Sequence, residues 1–238
     1  MSDLISVGIA SIPSREHSLK KAVDSLYDNA NEIHVFLNRY SAVPDFLNKP
    51  KINVYRSQVL VDMGDAGKMF KVASCKGYYF SCDDDLVYPA DYIDKMVTAI
   101  EKYHRKAVVG IHGSVWNSSN PAKFYGDRTC CPFGRELKED YACHMLGTGC
   151  CAWHTSTIKL AFENFEIANM ADLWMAIQAQ KQRVPMISVA RPNNWVEQSD
   201  IDFKTSIFGT APAASDMHNS IVSSITWNLF SKPEIKNV

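Results

Sequence analysis

The chain has 238 residues, 46% of them hydrophobic, which is enough to bury a sizeable core and excludes a mainly disordered chain. With 25 Lys and Arg against 26 Asp and Glu the formal net charge is -1, so no global positive field points to nucleic acid or to an anionic membrane. No apolar run is long enough to span a bilayer, and the start MSDLISVGIASIPSREH lacks the basic region and long apolar core of a signal peptide, so a cytoplasmic protein with no membrane span is expected. Seven cysteines are an odd number in a long chain, and two pairs are adjacent, Cys130-Cys131 and Cys150-Cys151. Reduced thiols fit this better than a disulfide framework. The spacing of Cys143, Cys150 and His154 does not give the paired C-x-x-C halves of a structural zinc site.

Leu4 to Ala10 is a short apolar, β-branched run that predicts a strand, interrupted by the turn chemistry of Ser11-Ile12-Pro13-Ser14, with Ser14 placed to cap a helix. In that helix Leu19, Ala22, Val23 and Leu26 share one face. Strands are predicted over Ile33 to Leu37, Ile52 to Tyr55 and Gly77 to Ser81. Pro89 suits a first helical turn, and Tyr92, Ile93, Met96, Val97 and Ile100 form the apolar stripe of a second helix. Ala107 to Ile111 reads as another buried strand. Between Gly113 and Tyr141 the pattern dissolves into mixed Asn, Ser, Pro, Gly and charge, the signature of a long functional or mobile loop. A helix near Met170 to Gln182 and a strand near Met186 to Ala190 follow, and periodicity weakens from Pro192 onward. This alternation predicts one α/β domain with a mostly parallel central sheet flanked by helices, whose ligands bind at the carboxyl ends of strands.

One strand end carries unusual charge. After Gly77 to Ser81 comes Cys82-Asp83-Asp84-Asp85-Leu86-Val87-Tyr88-Pro89. Three adjacent carboxylates repel one another, and a divalent cation with hard oxygen ligands, Mg2+ or Mn2+, relieves that repulsion. In an extended segment Asp83 and Asp85 point one way and Asp84 the other, an arrangement suited to one ion. The competing structural explanation is a solvated acidic turn at the start of the following helix.

The run YYFSCDDDLVYPADYI resembles the aspartate-x-aspartate segment of GT-A fold glycosyltransferases, especially the broad family-2-like group, and LISVGIASIPSRE resembles that group's first strand and nucleotide-binding loop. GDAGKMF (64–70) and ADLWMAIQAQ (171–180) extend the resemblance over most of the first 190 residues. It implies a GT-A-like domain with a nucleotide-binding half over 1–111, an acceptor and donor-sugar half over 112–190, and a tail or lid over 191–238. It further implies that Asp83 lies near the ribose and shares a metal with Asp85, that Asp84 positions the sugar, and that the Ser11, Pro13 and Arg15 loop borders the nucleobase. Asp65 would contact the base or ribose, and Lys68 would pair with Asp65, Asp83 or a phosphate. Gly147-Thr148-Gly149 would form a backbone-lined floor for the donor sugar, Gly149 among its binding residues, or else a plain turn. Asp172 would be the catalytic base of an inverting displacement; the competing structural explanation is a first-turn aspartate stabilised by the helix dipole behind an Asn169 cap. A late histidine would complete the metal shell, with His112 and His218 as candidates.

The implied reaction transfers a sugar from a nucleotide sugar, a UDP-sugar by preference, to a hydroxyl. Two acceptors fit: a surface or other glycan, or a hydroxymethylated base in DNA as in soluble bacteriophage enzymes, which would work in the host cytoplasm. Lys123, Arg128, Arg135 and Lys138 interleave with Trp116, Phe124, Tyr125 and Phe133, a mixture able to meet phosphate and base. The balanced charge and the neighbouring Asp127, Glu136, Glu139 and Asp140 stand against DNA. The alternatives are a sugar nucleotidyltransferase, for which SIPSRE is poor in glycine, and a non-catalytic nucleotide-sugar-binding protein.

Overall fold

Period-two burial divides the strands of this chain between two cores. In the computed structural model, which describes residues 3–59, 62–199 and 212–233, Val7, Ile9, Phe80 and Ala152 point to one face of a central sheet, whereas Tyr79, Cys151 and Trp153 point to the other. Two helices cover the first face: α1 (Glu16–Tyr27) through Leu19, Val23 and Leu26, and α2 (Tyr92–Lys102) through Ile93, Met96 and Ile100. The third, α3 (Ala171–Gln182), is buried nearly all round and fills the second face with Leu173, Met175 and Ile177. Trp174 belongs to this core, as its helical spacing predicts.

The strands are β1 (Ile5–Ser11), β2 (Glu32–Leu37), β3 (Ile52–Arg56), β4 (Tyr78–Asp83), β5 (Leu86–Val87), β6 (Val108–Gly110), β7 (Gly113–Trp116), β8 (Arg128–Cys131), β9 (Tyr141–Cys143), β10 (Met145–Leu146), β11 (Cys150–His154), β12 (Met186–Ser188) and β13 (Glu197–Gln198). Eight form the central sheet in the order β3-β2-β1-β4-β11-β6-β12-β9. The first four are mutually parallel, β11 lies antiparallel between β4 and β6, and β12 is again parallel to β6. The architecture is therefore mixed α/β with a large, mostly parallel central sheet flanked by helices, as the alternation predicts. None of the helices among the described residues is long and apolar enough to cross a membrane.

The structure corrects several local expectations. The 113–141 segment is not one long loop: β7 and β8 pair antiparallel with Gly113 opposite Cys131, and β10 joins them in a small second sheet. These strands have two to four residues each, too short for a period to emerge. Ser14 does not cap α1; Pro13–Arg15 is a 3-10 turn and α1 begins at Glu16. Of the 191–238 segment expected as a tail or lid, 200–211 and 234–238 lie outside the described residues, and α4 (Pro212–Ser223) follows the first of these stretches.

A glycine in β1 decides how close the site approaches the sheet. A methyl group at Gly8 would collide with the backbone carbonyl oxygen of Lys68 and with the Tyr79 hydroxyl. Because residue 8 has no side chain, the 3-10 segment Gly64–Met69 lies directly on β1, where Tyr79 Oη donates to the Lys68 carbonyl at 2.6 Å. Gly8→Ala should cost about 2 kcal/mol of stability through overpacking. A urea midpoint equal to that of wild type would contradict this packing.

Candidate active site

Ala10 and Asp83 are register partners, so the carboxyl ends of β1 and β4 leave the sheet side by side. Here β1 has β2 on one flank and β4 on the other, the switch in strand order at which open α/β sheets form ligand crevices. The turn after β1 carries Arg15 back across this point. Its Nη1 donates to Asp84 Oδ1 at 2.9 Å and lies 3.2 Å from Asp85 Oδ2. Arg15 is therefore tied to the acidic turn and is not a solvated arginine at a helix start. Alternation of the three aspartates also fails, because only Asp83 belongs to β4. Asp84 and Asp85 form the turn that follows, and both face Arg15.

Lys68 takes the remaining aspartate. Its side chain is 3% exposed and Nζ donates to Asp83 Oδ1, while the Asp83 side chain stays 40% exposed. Burial alone would push the ammonium down, but Asp83, Asp65 and Asp172 outweigh it and hold Lys68 above its ordinary value. Burial likewise lowers Arg15, and Asp84 and Asp85 reverse the direction. Burial raises Asp84 against the opposition of Arg15, and burial with the Asp83 charge raises Asp85. Five carboxylates thus share Lys68 and Arg15, and the raised Asp65, Asp84 and Asp85 carboxyls mark a burial and repulsion that the two cations do not fully offset.

Asp172 reaches the cluster through β11. Ser81 Oγ donates to the Thr148 carbonyl at 2.6 Å, and the Asp83 amide donates to Gly149 O at 3.1 Å, which fastens Thr148 and Gly149 along the end of β4. The Thr148 amide and hydroxyl then both donate to Asp172 Oδ1, at 2.7 and 2.6 Å. A side chain at Gly149 would run into the Asp83 carboxylate, so glycine is required by this close approach. Asp172 lies in the first turn of α3, but the Asn169 cap does not form: Met170 is the cap residue, without a side-chain bond. Asn169 instead adopts a left-handed φ of 62° and offers Oδ1 to the Asp65 amide at 3.4 Å.

Asp65 closes the ring. Its Oδ2 accepts from the Ala171 amide at 3.2 Å, and its buried Oδ1 has no hydrogen-bond partner among the described residues. Burial pushes this carboxyl up to about 7, Lys68 opposing and the Asp172 and Asp83 charges adding to the rise. Ser11 lines the rim, with Oγ 3.2 Å from Tyr40 Oη, and Pro13 opens the Arg15 turn. Ser11, Pro13, Arg15, Asp65, Lys68, Asp83, Asp84, Asp85, Gly149 and Asp172 are therefore gathered at one sheet end.

The two histidine candidates part company. His112, just beyond β6, is half-buried; burial lowers its pKa, and the charges of Asp172 and Asp83 reach it and oppose that fall. His218 on α4 is buried against Phe124 and Tyr125, with ring centroids 4.5 and 6.1 Å away. Burial raises the pKa of the neighbouring Tyr125 phenol, with Arg128 opposing the rise and the Asp172 charge adding to it. Trp116 and Phe124 are buried core residues packed against each other, Trp116 also against Trp227 and Phe124 against His218, so half of the aromatic set that interleaves with basic residues is withdrawn from the surface.

Several contributors have no motif. Thr148 orients Asp172, and Tyr88 Oη accepts from the Asp83 amide at 2.8 Å while donating to Gly149 O at 2.6 Å. Asn38, 1% exposed at the end of β2, donates from Nδ2 to Gly64 O at 2.9 Å and keeps a buried Oδ1 with no partner among the described residues. The only sequence signals were the five-residue step from Asp83 to Tyr88 and the threonine inside Gly-Thr-Gly. No protein-family model and no curated protein matches this chain.

The elevated Asp65 has a pH signature. Its folded pKa of about 7 lies above the ordinary 3.8, so the folded state binds its proton more tightly than the unfolded chain. The resulting stabilisation is fully present below the unfolded value and is lost as pH rises through the folded one. Asp65→Asn should therefore gain about 4 kcal/mol over wild type above neutrality and almost nothing near pH ~4. Thermal unfolding across that range reads the difference, and a gain independent of pH would contradict the assignment.

Proposed function

We propose that the chain is a metal-dependent glycosyltransferase of the GT-A type, which moves a sugar from a UDP-sugar to an acceptor hydroxyl with inversion. The observation that carries this reading is the junction, through Thr148 and Gly149, of the acidic turn Asp83 to Asp85 with Asp172 at the switch point of the sheet. A binding module needs no carboxylate so oriented. The donor set fits a hard divalent ion: mainly carboxylate oxygens, in excess of their cations, with Asp83 partly open to solvent. Asp83 and Asp85 would hold Mn2+ or Mg2+, with His112 or His218 as the histidine ligand, and the ion would neutralise the departing diphosphate.

Asp172 acts as the base. Two donors from Thr148 fix Oδ1, and Oδ2 takes the proton of the acceptor hydroxyl as that oxygen attacks the anomeric carbon. One displacement inverts the centre. Arg15 and Lys68 hold the acidic turn in place before the nucleotide arrives and oppose its neutralisation by burial. The unpartnered Asn38 Oδ1, beside the Ser11 backbone, suits the imide N–H of uracil, which supports UDP. For the acceptor, burial of Trp116 and Phe124 removes part of the case for DNA and favours a glycan.

Release of nucleoside diphosphate from a panel of UDP-sugars, with and without Mn2+, tests the proposal, with glycans and hydroxymethylated DNA as acceptors. Asp172→Asn should lower kcat by about 10^2 to 10^4-fold and leave UDP affinity unchanged. No release from any donor by the folded wild-type protein would overturn it.

A further inference from the structure

A second cluster of ligand-type side chains lies toward the amino-terminal end of the same strands. Glu32 and His34 are two apart on β2 and so project from the same face, and Cys75 meets them from the segment before β4. Their ligand atoms all lie within 4.8 Å of one another. His34 Nε2 is 3.3 Å from Glu32 Oε1 and 3.6 Å from Cys75 Sγ.

Those spacings have a geometric meaning. Tetrahedral zinc, with its usual bond lengths, separates a nitrogen from an oxygen ligand by about 3.4 Å and from a sulfur ligand by about 3.6 Å. Both edges are already in place. The atoms are also braced from behind, as metal ligands usually are. Tyr55 Oη sits 3.3 Å from His34 Nδ1, so that with Nδ1 protonated the Nε2 lone pair faces the cluster. Ser6 Oγ, on the neighbouring strand, donates to Glu32 Oε1 at 2.6 Å. One thiolate, one neutral imidazole and one carboxylate form a mixed set that favours zinc over the hard ions expected at the acidic turn.

We infer that Glu32, His34 and Cys75 form a zinc site with three protein ligands and a fourth position open to water or an exogenous ligand. On binding, the Cys75 proton passes to solvent and Sγ ligates as the thiolate. Glu32 and the thiolate together balance the charge of the ion. Burial lowers the His34 pKa, with Glu32 opposing the fall and the nearby Lys71 charge adding to it. Cys75 ends the stretch that begins with Asp65 and Lys68, so an ion here clamps that stretch to β2 from the far end.

Co2+ is the probe, added to reduced, metal-free, full-length protein in the presence of excess Mg2+ to occupy any hard-oxygen site. The expected result is a thiolate-to-cobalt charge-transfer band and intense tetrahedral visible bands, saturating at one Co2+ per chain and abolished by Zn2+. Cys75→Ser should lose the charge-transfer band, with its fold checked by circular dichroism. Glu32→Gln, a change at a partly exposed strand start, should keep the band and bind Co2+ at least about tenfold more weakly. Asp85→Ala should leave both band and affinity unchanged. Absence of the band in folded wild type, its persistence in Cys75→Ser, or undiminished affinity in Glu32→Gln would overturn the inference.

Discussion

A single buried ammonium organises the carboxyl edge of this sheet. Lys68 is enclosed on the floor of the site, bonded to Asp83 and within the fields of Asp65 and Asp172. Stripping water from an ammonium is costly, and only well-placed anions offset that cost. The constraint works both ways, since without Lys68 the three carboxylates would repel one another with nothing buried between them. Gly8 serves the same end, because it lets the Lys68 backbone rest on β1. Tyr79 then fixes that backbone from the adjoining strand.

From this centre the rest of the site follows by short links. Asp83 connects through its amide to Gly149, Gly149 is continuous with Thr148, and Thr148 holds Asp172. Arg15 repeats the device on the outer side of the turn, one cation against Asp84 and Asp85. The carboxylates still outnumber their cations, and Asp65 remains partly unsatisfied with a raised pKa. Such stored electrostatic cost is typical of sites built for a ligand. Under the proposed glycosyl transfer, a divalent ion and the N–H groups of a nucleobase meet these open demands.

Contiguous features of the site were legible in the sequence. LISVGIA and GYYFS carried the two central strands, the three aspartates stood directly after one of them, and GDAGKMF stood out as a glycine-containing loop with Asp65 and Lys68. What escaped notice depends on partners distant along the chain. The strand Cys150–His154 was hidden because it is buried on both faces, so no polar residue alternates to reveal its period. The pairing of Arg15 with Asp84 and Asp85 spans some 70 residues and depends on the β1 and β4 register. Trp116 and Phe124 fit a stacking surface in sequence, but Trp227, from beyond α4, packs on Trp116 and His218 of α4 packs on Phe124. The cluster of Glu32, His34 and Cys75 had no recognisable spacing, since strand pairing and not sequence proximity assembles it.

The central claim is that the acidic turn after β4 holds a metal ion together with a nucleotide diphosphate. Titration calorimetry of UDP into the wild-type protein and into Asp85→Ala, each with and without Mn2+, tests it most directly. The account requires Mn2+ to strengthen UDP binding to wild type, and Asp85→Ala to abolish that strengthening while the protein stays folded. UDP affinity that ignores both the metal and the substitution would contradict it.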